Sequence, residues 1–264
     1  MTLPFHCVVA LFYLFSSLGY LLHIIFANRR AEGIALSLFV AGLLLHTGLL
    51  GMRSYDHGYP FIAGEADLYY SASWVLAVLV LILRVRYRFS GSGAFFAPLT
   101  LLLFIIAMVR HGSYRLAGDA LIDPWILIHL LFMSLAFAVF TVSFLVGSIF
   151  LMQESRLKSR HPGRALDWFP PLQTMDLIHY KALTIGFLLL SVGILAGAVL
   201  SKLTEGRFFT SGPRQVASLL MWFLYAVFLN VRIRAGWRGR RGIVLSLIGF
   251  IGVVLLFVGL SHRM

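Results

Sequence analysis

Histidine is the residue type that could carry chemistry in this sequence, because it occurs near the ends of long apolar segments. Three such histidines are His46, His129 and His262. A neutral imidazole nitrogen is a strong ligand for metal ions, and two imidazoles from different helices can take the two axial positions of a haem iron. A lone histidine near a helix end is more often an interfacial residue that forms hydrogen bonds, so the residue type leaves both interpretations open.

Several other chemistries are excluded by the residues that the sequence lacks. The single cysteine, Cys7, rules out a disulfide framework, a cysteine-based zinc or iron–sulfur site and the C-x-x-C-H signature of covalent haem attachment. No Asp or Glu lies in the middle of an apolar segment, whereas proton- or sodium-coupled transporters usually use a buried carboxylate. A small-molecule or ion transporter is therefore a less favoured alternative.

The composition indicates that membrane-spanning helices must position these histidines. The 264 residues are 60% hydrophobic and only 12% charged, with a mean hydropathy of +0.90. This excludes a water-soluble enzyme built on a sheet and predicts an all-α, polytopic membrane helix bundle that forms a single integral membrane domain over residues 1–264. About eight transmembrane helices are predicted, over Pro4–Ala27, Gly33–Leu50, Ala66–Val85, Gly91–Val109, Pro124–Met152, Leu177–Leu200, Val216–Val231 and Gly242–Leu260.

The distribution of basic residues predicts the orientation of these helices. Loops on one side hold fourteen Lys and Arg, against seven on the other side. By the positive-inside rule, both termini lie on the outer (periplasmic) side of a bacterial inner (cytoplasmic) membrane. The net charge of +12 is then explained by topology and anionic lipid headgroups, and no nucleic-acid partner is expected.

The three histidines are predicted to lie at a similar depth near the outer end of the helices. His129 follows Asp123 and Pro124, a capping residue and a first-turn proline, so it should lie roughly 8 Å below the start of its helix. Trp125 precedes it by one turn and could line a pocket or belong to an aromatic belt. The remaining histidines are interpreted as ordinary interfacial or loop residues: His6, His23, His57, His111, His161 and His179. The Gly193 and Gly197 pair is interpreted as a helix-packing signal without chemistry.

Longer stretches of the sequence resemble the CcsA-type cytochrome c assembly proteins, and within that family the smaller HemX- and YpjD-like branch. The most specific piece is the Gly-Trp-Arg-Gly-Arg loop in "SLLMWFLYAVFLNVRIRAGWRGRR". "FPPLQTMDLIHYKALTIGFLLLSVGILAGAV" is similar to the family's Leu-Pro-x-Leu and Gly-Phe signature, and "HTGLLGMRSYDHGYPFIAGEADLYYSASW" to the segment before its third span. "DPWILIHLLFMSLAFAVFTVSFLVGSIFLMQESRLK" and the terminal "GLSHRM" resemble the family's two outward haem-histidine segments.

The resemblance implies a haem site with His129 and His262 as the axial ligands of the iron. His46 stands where members of the family often carry a histidine. The run "EGRFFTSGPRQ" corresponds to a Trp-rich haem loop of the full synthases, and it offers Phe208, Phe209 and Arg214 as further haem-contacting residues. Asn230 stands where the family has a further intramembrane histidine, so the resemblance does not extend to a deep second haem site or to catalysis of thioether formation.

These observations predict a protein that binds haem b non-covalently in an outward-facing bis-histidine pocket lined by Trp125. Its expected role is haem handling: export, presentation to a cytochrome c maturation or haem-biosynthesis partner protein, or sensing. No enzyme active site is expected. The alternative is a haem-free membrane scaffold, an accessory subunit that regulates a partner protein.

Overall fold

Eight α-helices and one short 3₁₀ turn make up nearly all of the described chain. The computed structural model describes residues 3–57, 65–110, 124–159, 168–210 and 212–261, with the side chains of 252–261 and of a few helix-end residues left out. The helices are α1 (Leu3–Phe26), α2 (Arg29–His57), α3 (Glu65–Tyr87), α4 (Gly93–Val109), α5 (Pro124–Lys158), α6 (Leu172–Glu205), α7 (Pro213–Arg234) and α8 (Arg240–Ser261). No strand occurs in these ranges.

The predicted class, an all-helical multi-pass membrane protein, is confirmed. Seven of the described helices, α1 to α7, are long and apolar enough to cross a membrane. The 22-residue helix α8 forms where the sequence predicts the eighth span. The side of the membrane on which the termini lie stays a prediction.

The two longest helices, α5 and α6, extend beyond their apolar segments. Helix α5 begins at Pro124, as predicted, and runs for 35 residues, which is about 52 Å of helix against a hydrocarbon core of roughly 30 Å. Helix α6 begins directly after Pro171 and continues to Gly206, whose left-handed backbone (φ +74°) ends it with an N–H bond to the Lys202 carbonyl. Polar residues therefore lengthen both helices without breaking them.

Contacts group the chain into two compact units. One consists of residues 1–121 and 156–170, and the other of residues 122–155 and 171–264. Helices α1 to α4 lie in the first unit, while α6, α7, α8 and most of α5 lie in the second. The prediction of a single membrane domain over residues 1–264 stays a prediction.

The first unit has an aromatic core and polar links at its ends. Its largest fully buried side chains are Tyr13, Tyr20, Phe39, Tyr70, Phe89, Phe96 and Phe104. Arg53 donates to Asp67 from Nε at 2.9 Å, and the guanidinium lies 4.9 Å from the Tyr70 ring. Elsewhere in this unit, the centre of the Trp168 ring lies 4.3 Å from the centre of the buried His23 ring. The unit is thus held by aromatic packing and by buried, partnered charges.

In the second unit, α5 and α6 meet along an antiparallel line of contacts lined by glycines. The contacts step along both helices by a few residues in opposite directions. The contacting pairs are His129 with Gly197, Met133 with Gly193, Phe140 with Gly186, and Gly147 with His179. Because glycine has no side chain, the two helices can approach closely along this line. His129 and His179 lie at its two ends.

An ion pair ties α6 to α7 and to the loop before α8. The Asp176 carboxylate accepts two bonds from Arg232, at 3.0 Å and 2.7 Å, and a third from the Gly239 backbone N–H at 3.0 Å. The Arg232 guanidinium also lies 4.4 Å from the Tyr180 ring centre. This network holds the Gly-Trp-Arg-Gly-Arg loop, in which Gly236 and Gly239 both adopt a φ of +66°.

Candidate functional site

His129 lies in the second turn of α5, and a hydrogen bond to α6 fixes its ring. Nδ1 lies 2.7 Å from the backbone carbonyl oxygen of Gly193 on α6. A carbonyl oxygen can only accept, so Nδ1 carries the proton and donates it. In the neutral ring, Nε2 then holds a lone pair. The side chain is half-buried, and this combination of a fixed Nδ1–H and a basic Nε2 is typical of metal-ligating histidines.

Gly197 provides the space in which the His129 ring lies. A Cβ at position 197 would be 2.7 Å from Nδ1 and 2.8 Å from Cε1 of that ring. Cβ atoms do not approach other atoms so closely, so the ring occupies the volume of a missing side chain. The interpretation of Gly193 and Gly197 as packing residues alone was therefore incomplete, because both contact the histidine that was predicted as a ligand.

The structure places the other candidates near the ends of helices or outside the described residues. Trp125 is 38% exposed at the start of α5, one turn before His129. Phe208 and Phe209 are 60% and 46% exposed in the connection between α6 and α7. The backbone of Arg214 lies in the first turn of α7, but its side chain is not among those described, and His262 lies beyond the last described residue.

The connection that carries the two phenylalanines is fastened to α7 by one side chain. The Gln215 Oε1 accepts the Thr210 backbone N–H at 2.8 Å and the Thr210 hydroxyl at 3.0 Å, and Nε2 donates to the Phe208 carbonyl at 3.3 Å. Lys202 lies 5.5 Å from the Phe208 ring centre. These bonds hold two exposed aromatic rings in a short loop, an arrangement suited to a flat apolar ligand.

His46 lies in the first unit and is fully buried. Its Nδ1 shares a hydrogen bond of 3.1 Å with the Tyr13 hydroxyl, and its ring meets Phe104 edge-on at 4.8 Å between centres. Tyr70 lies 6.2 Å away on another side. The structure therefore surrounds His46 with aromatic rings of the first unit.

The prediction that the remaining histidines are interfacial or loop residues is wrong for three of them. His6, His23 and His179 are at most 3% exposed. His179 donates from Nδ1 to the Ser143 carbonyl at 2.9 Å, and its Nε2 accepts the Ser246 hydroxyl at 3.0 Å. Both nitrogens are thus occupied, which makes His179 a structural counterpart to His129. The two serines inside apolar spans were the available signal, since buried hydroxyls need partners.

Comparisons with known proteins identify what the chain is similar to. A family model described as Cytochrome C assembly protein matches residues 65–262. The cytochrome c biogenesis protein CcsA of Guillardia theta is 24% identical over 268 residues, which cover 94% of this chain and 89% of that protein. CcsA of Mesostigma viride is 25% identical over 255 residues, covering 87% of this chain and 81% of that protein.

Over a shorter stretch of the chain, another relative has a higher sequence identity. CcsA of Gloeobacter violaceus is 37% identical over 99 residues, covering 38% of this chain and 29% of that protein. The narrower assignment to the HemX- and YpjD-like branch stays a prediction. Because the family model covers well over half of the sequence and includes His129 and His262, the chain belongs to the cytochrome c assembly protein family.

Proposed function

We propose that this protein binds haem b non-covalently in a pocket that faces the outer side of the membrane, with His129 and His262 as the axial ligands of the iron. The bound haem is held for handling in cytochrome c assembly: export, presentation to a maturation or haem-biosynthesis partner protein, or sensing. The proposal places the protein in the bacterial inner membrane. It leaves out His46, whose ring is fully buried in the first unit.

The observation that carries the proposal is the state of the His129 ring. Its Nδ1–H donates to the Gly193 carbonyl at 2.7 Å, so the lone pair of the neutral ring is on Nε2. A backbone carbonyl on the remote nitrogen fixes the orientation of a ligating imidazole and makes it a better electron donor. His179 shows the contrast, because both of its ring nitrogens have partners in the protein.

Three aromatic residues and Arg214 would complete the haem site in this proposal. Haem iron between two neutral imidazoles supplies reversible one-electron chemistry when it is bound. The half-exposed ring of Trp125 lies one turn from His129, and the Gln215-held loop presents Phe208 and Phe209. These rings would cover a porphyrin face, and the Arg214 guanidinium would pair with a propionate.

A haem titration of the purified protein tests the pair of ligands. The His262→Ala variant is expected to bind haem at least about 100-fold more weakly than the wild type, since even residues that only support a metal ligand often contribute 10- to 100-fold. The measurement is the Soret absorbance on addition of haem to protein in detergent. Unchanged affinity in His262→Ala would contradict the assignment of the second ligand.

The matched control is His179→Gln, because His179 is also a histidine of the second unit but has both nitrogens hydrogen-bonded. This variant should bind haem as the wild type does. A wild-type protein that takes up no haem would instead favour a haem-free scaffold that regulates a partner protein, and a pull-down of a stable partner would then be the next test.

A further inference from the structure

We infer that Gly197 is a positioning residue for the haem ligand: its missing side chain lets the His129 ring lie against α6, in the orientation and tautomer that leave Nε2 for the iron. This inference rests on the proposed function, and it adds Gly193 and Gly197 of α6 to a site whose iron ligands are proposed to be His129 and His262.

The first step is the geometry of the ring against the helix. The ring atoms nearest to a Cβ at position 197 would be Nδ1 at 2.7 Å, Cε1 at 2.8 Å and Cγ at 3.6 Å. The Nδ1–Cε1 edge therefore faces α6. The hydrogen-bonded nitrogen lies at this edge, and the lone pair of the Nδ1–H tautomer is on the other nitrogen, Nε2.

The second step is the role of the neighbouring glycine. The carbonyl of Gly193 lies one turn before Gly197, and it accepts the Nδ1–H at 2.7 Å. In an ideal helix this carbonyl would already accept the N–H of residue 197, so the histidine adds a second donor to the same oxygen. A carbonyl has two lone pairs, but a second donor can reach it from the side only where no side chain blocks the approach. Gly197 leaves that approach open.

The third step is what a single methyl group would do at two glycines of α6. At position 197 it would lie under 3.0 Å from two atoms of the His129 ring, so the ring must rotate or move outward and its bond to Gly193 must lengthen. At position 186 it would lie 2.8 Å from Cε1 and 2.9 Å from Cδ1 of the Phe140 ring. Gly186→Ala therefore disturbs the packing of the same two helices, but it does so against a ring of α5 other than His129.

These two substitutions are therefore a matched pair on the same helix, because each places a methyl group against an aromatic ring of α5. Gly197→Ala should bind haem about 10-fold more weakly and with a changed visible spectrum and reduction potential, as expected for a lost supporting bond to a ligating histidine. Gly186→Ala should keep the wild-type affinity, spectrum and potential. Equal behaviour of the two variants, in a wild-type protein that binds haem through His129, would overturn the inference.

A second measurement does not depend on haem. Nitrogen-15 NMR of histidine-labelled apoprotein in lipid bilayers reports which ring nitrogen carries the proton, and the signal that disappears in His129→Gln identifies the residue. We expect the Nδ1–H tautomer in the wild type and in Gly186→Ala, and a mixture of tautomers in Gly197→Ala. A wild-type His129 protonated on Nε2 would overturn the inference even if Gly197→Ala failed to fold.

The two proposals fail in different ways. If the wild type shows the Nδ1–H tautomer but takes up no haem, the proposed function is wrong, while the effect of Gly197 on the ring stands. If haem binds through His129 but the tautomer and potential are unaffected in Gly197→Ala, the proposed function stands and the positioning role of Gly197 is wrong.

Discussion

Haem b bound to the wild-type protein is expected to be lost from a His129→Ala variant and to return when imidazole is added. The substitution removes the ligand but leaves the Gly193 carbonyl and the space beside Gly197. Free imidazole can enter that space, donate one N–H to the carbonyl and offer its other nitrogen to the iron. We expect haem affinity to fall by at least about 100-fold without imidazole. The Soret absorbance of protein incubated with haem, with and without imidazole, measures both steps.

The control for this experiment is the substitution of a histidine that is not proposed to bind the haem iron. His179→Ala also leaves a ring-sized space in the second unit, but His179 has partners in the protein on both nitrogens. It should keep its haem and gain nothing from imidazole. Full haem content in His129→Ala would show that His129 is not a ligand, and haem loss that imidazole does not reverse would indicate a structural role instead.

The second large effect is expected at the ion pair between α6 and α7. Asp176→Asn removes the negative charge of the carboxylate that accepts hydrogen bonds from Arg232 and from the Gly239 N–H. The Arg232 side chain is only 7% exposed, so its positive charge is left buried. Leaving a buried charge without its counter-ion should lower the free energy of unfolding by about 3 kcal/mol. Unfolding in mixed micelles with increasing denaturing detergent measures this change. The Gly-Trp-Arg-Gly-Arg loop should lose protection from hydrogen exchange at the same time.

An exposed ion pair of the same unit provides the comparison. Arg240 donates to Glu154 at 3.2 Å, but its side chain is 57% exposed, so Arg240→Gln should change stability by less than about 1 kcal/mol. The double variant Asp176→Asn, Arg232→Met should be more stable than Asp176→Asn alone, because the unpaired charge is gone. A double variant that is less stable than Asp176→Asn would mean that the network stabilises the fold by packing rather than by charge.

The number and order of the helices could be predicted from the sequence because apolar length alone determines which segments can span a membrane. The ends were less predictable. Helix α6 begins five residues before the predicted Leu177, since Pro171 permits a helix to start there and the polar residues that follow do not prevent it. Gly206 was a better guide to the end of α6 than hydropathy, because only a glycine adopts its φ of +74° readily.

The site could be predicted only in part, because a contact between helices depends on their register. The position of His129 near a helix end pointed to it as a candidate, but its bond to Gly193 joins residues 64 positions apart. The same limit explains the error at His179, whose serine partners lie 36 and 67 positions away. Hydropathy shows that a histidine is near the end of a span, and it does not show whether hydroxyls of other helices surround it.

The most direct test of haem binding is the visible absorption spectrum of the detergent-purified wild-type protein, oxidised and then reduced, before and after addition of haem. We predict a Soret band and, on reduction, the narrow bands of haem b with two histidine ligands. A protein that is colourless as purified and whose spectrum with added haem equals that of haem in detergent alone would contradict it.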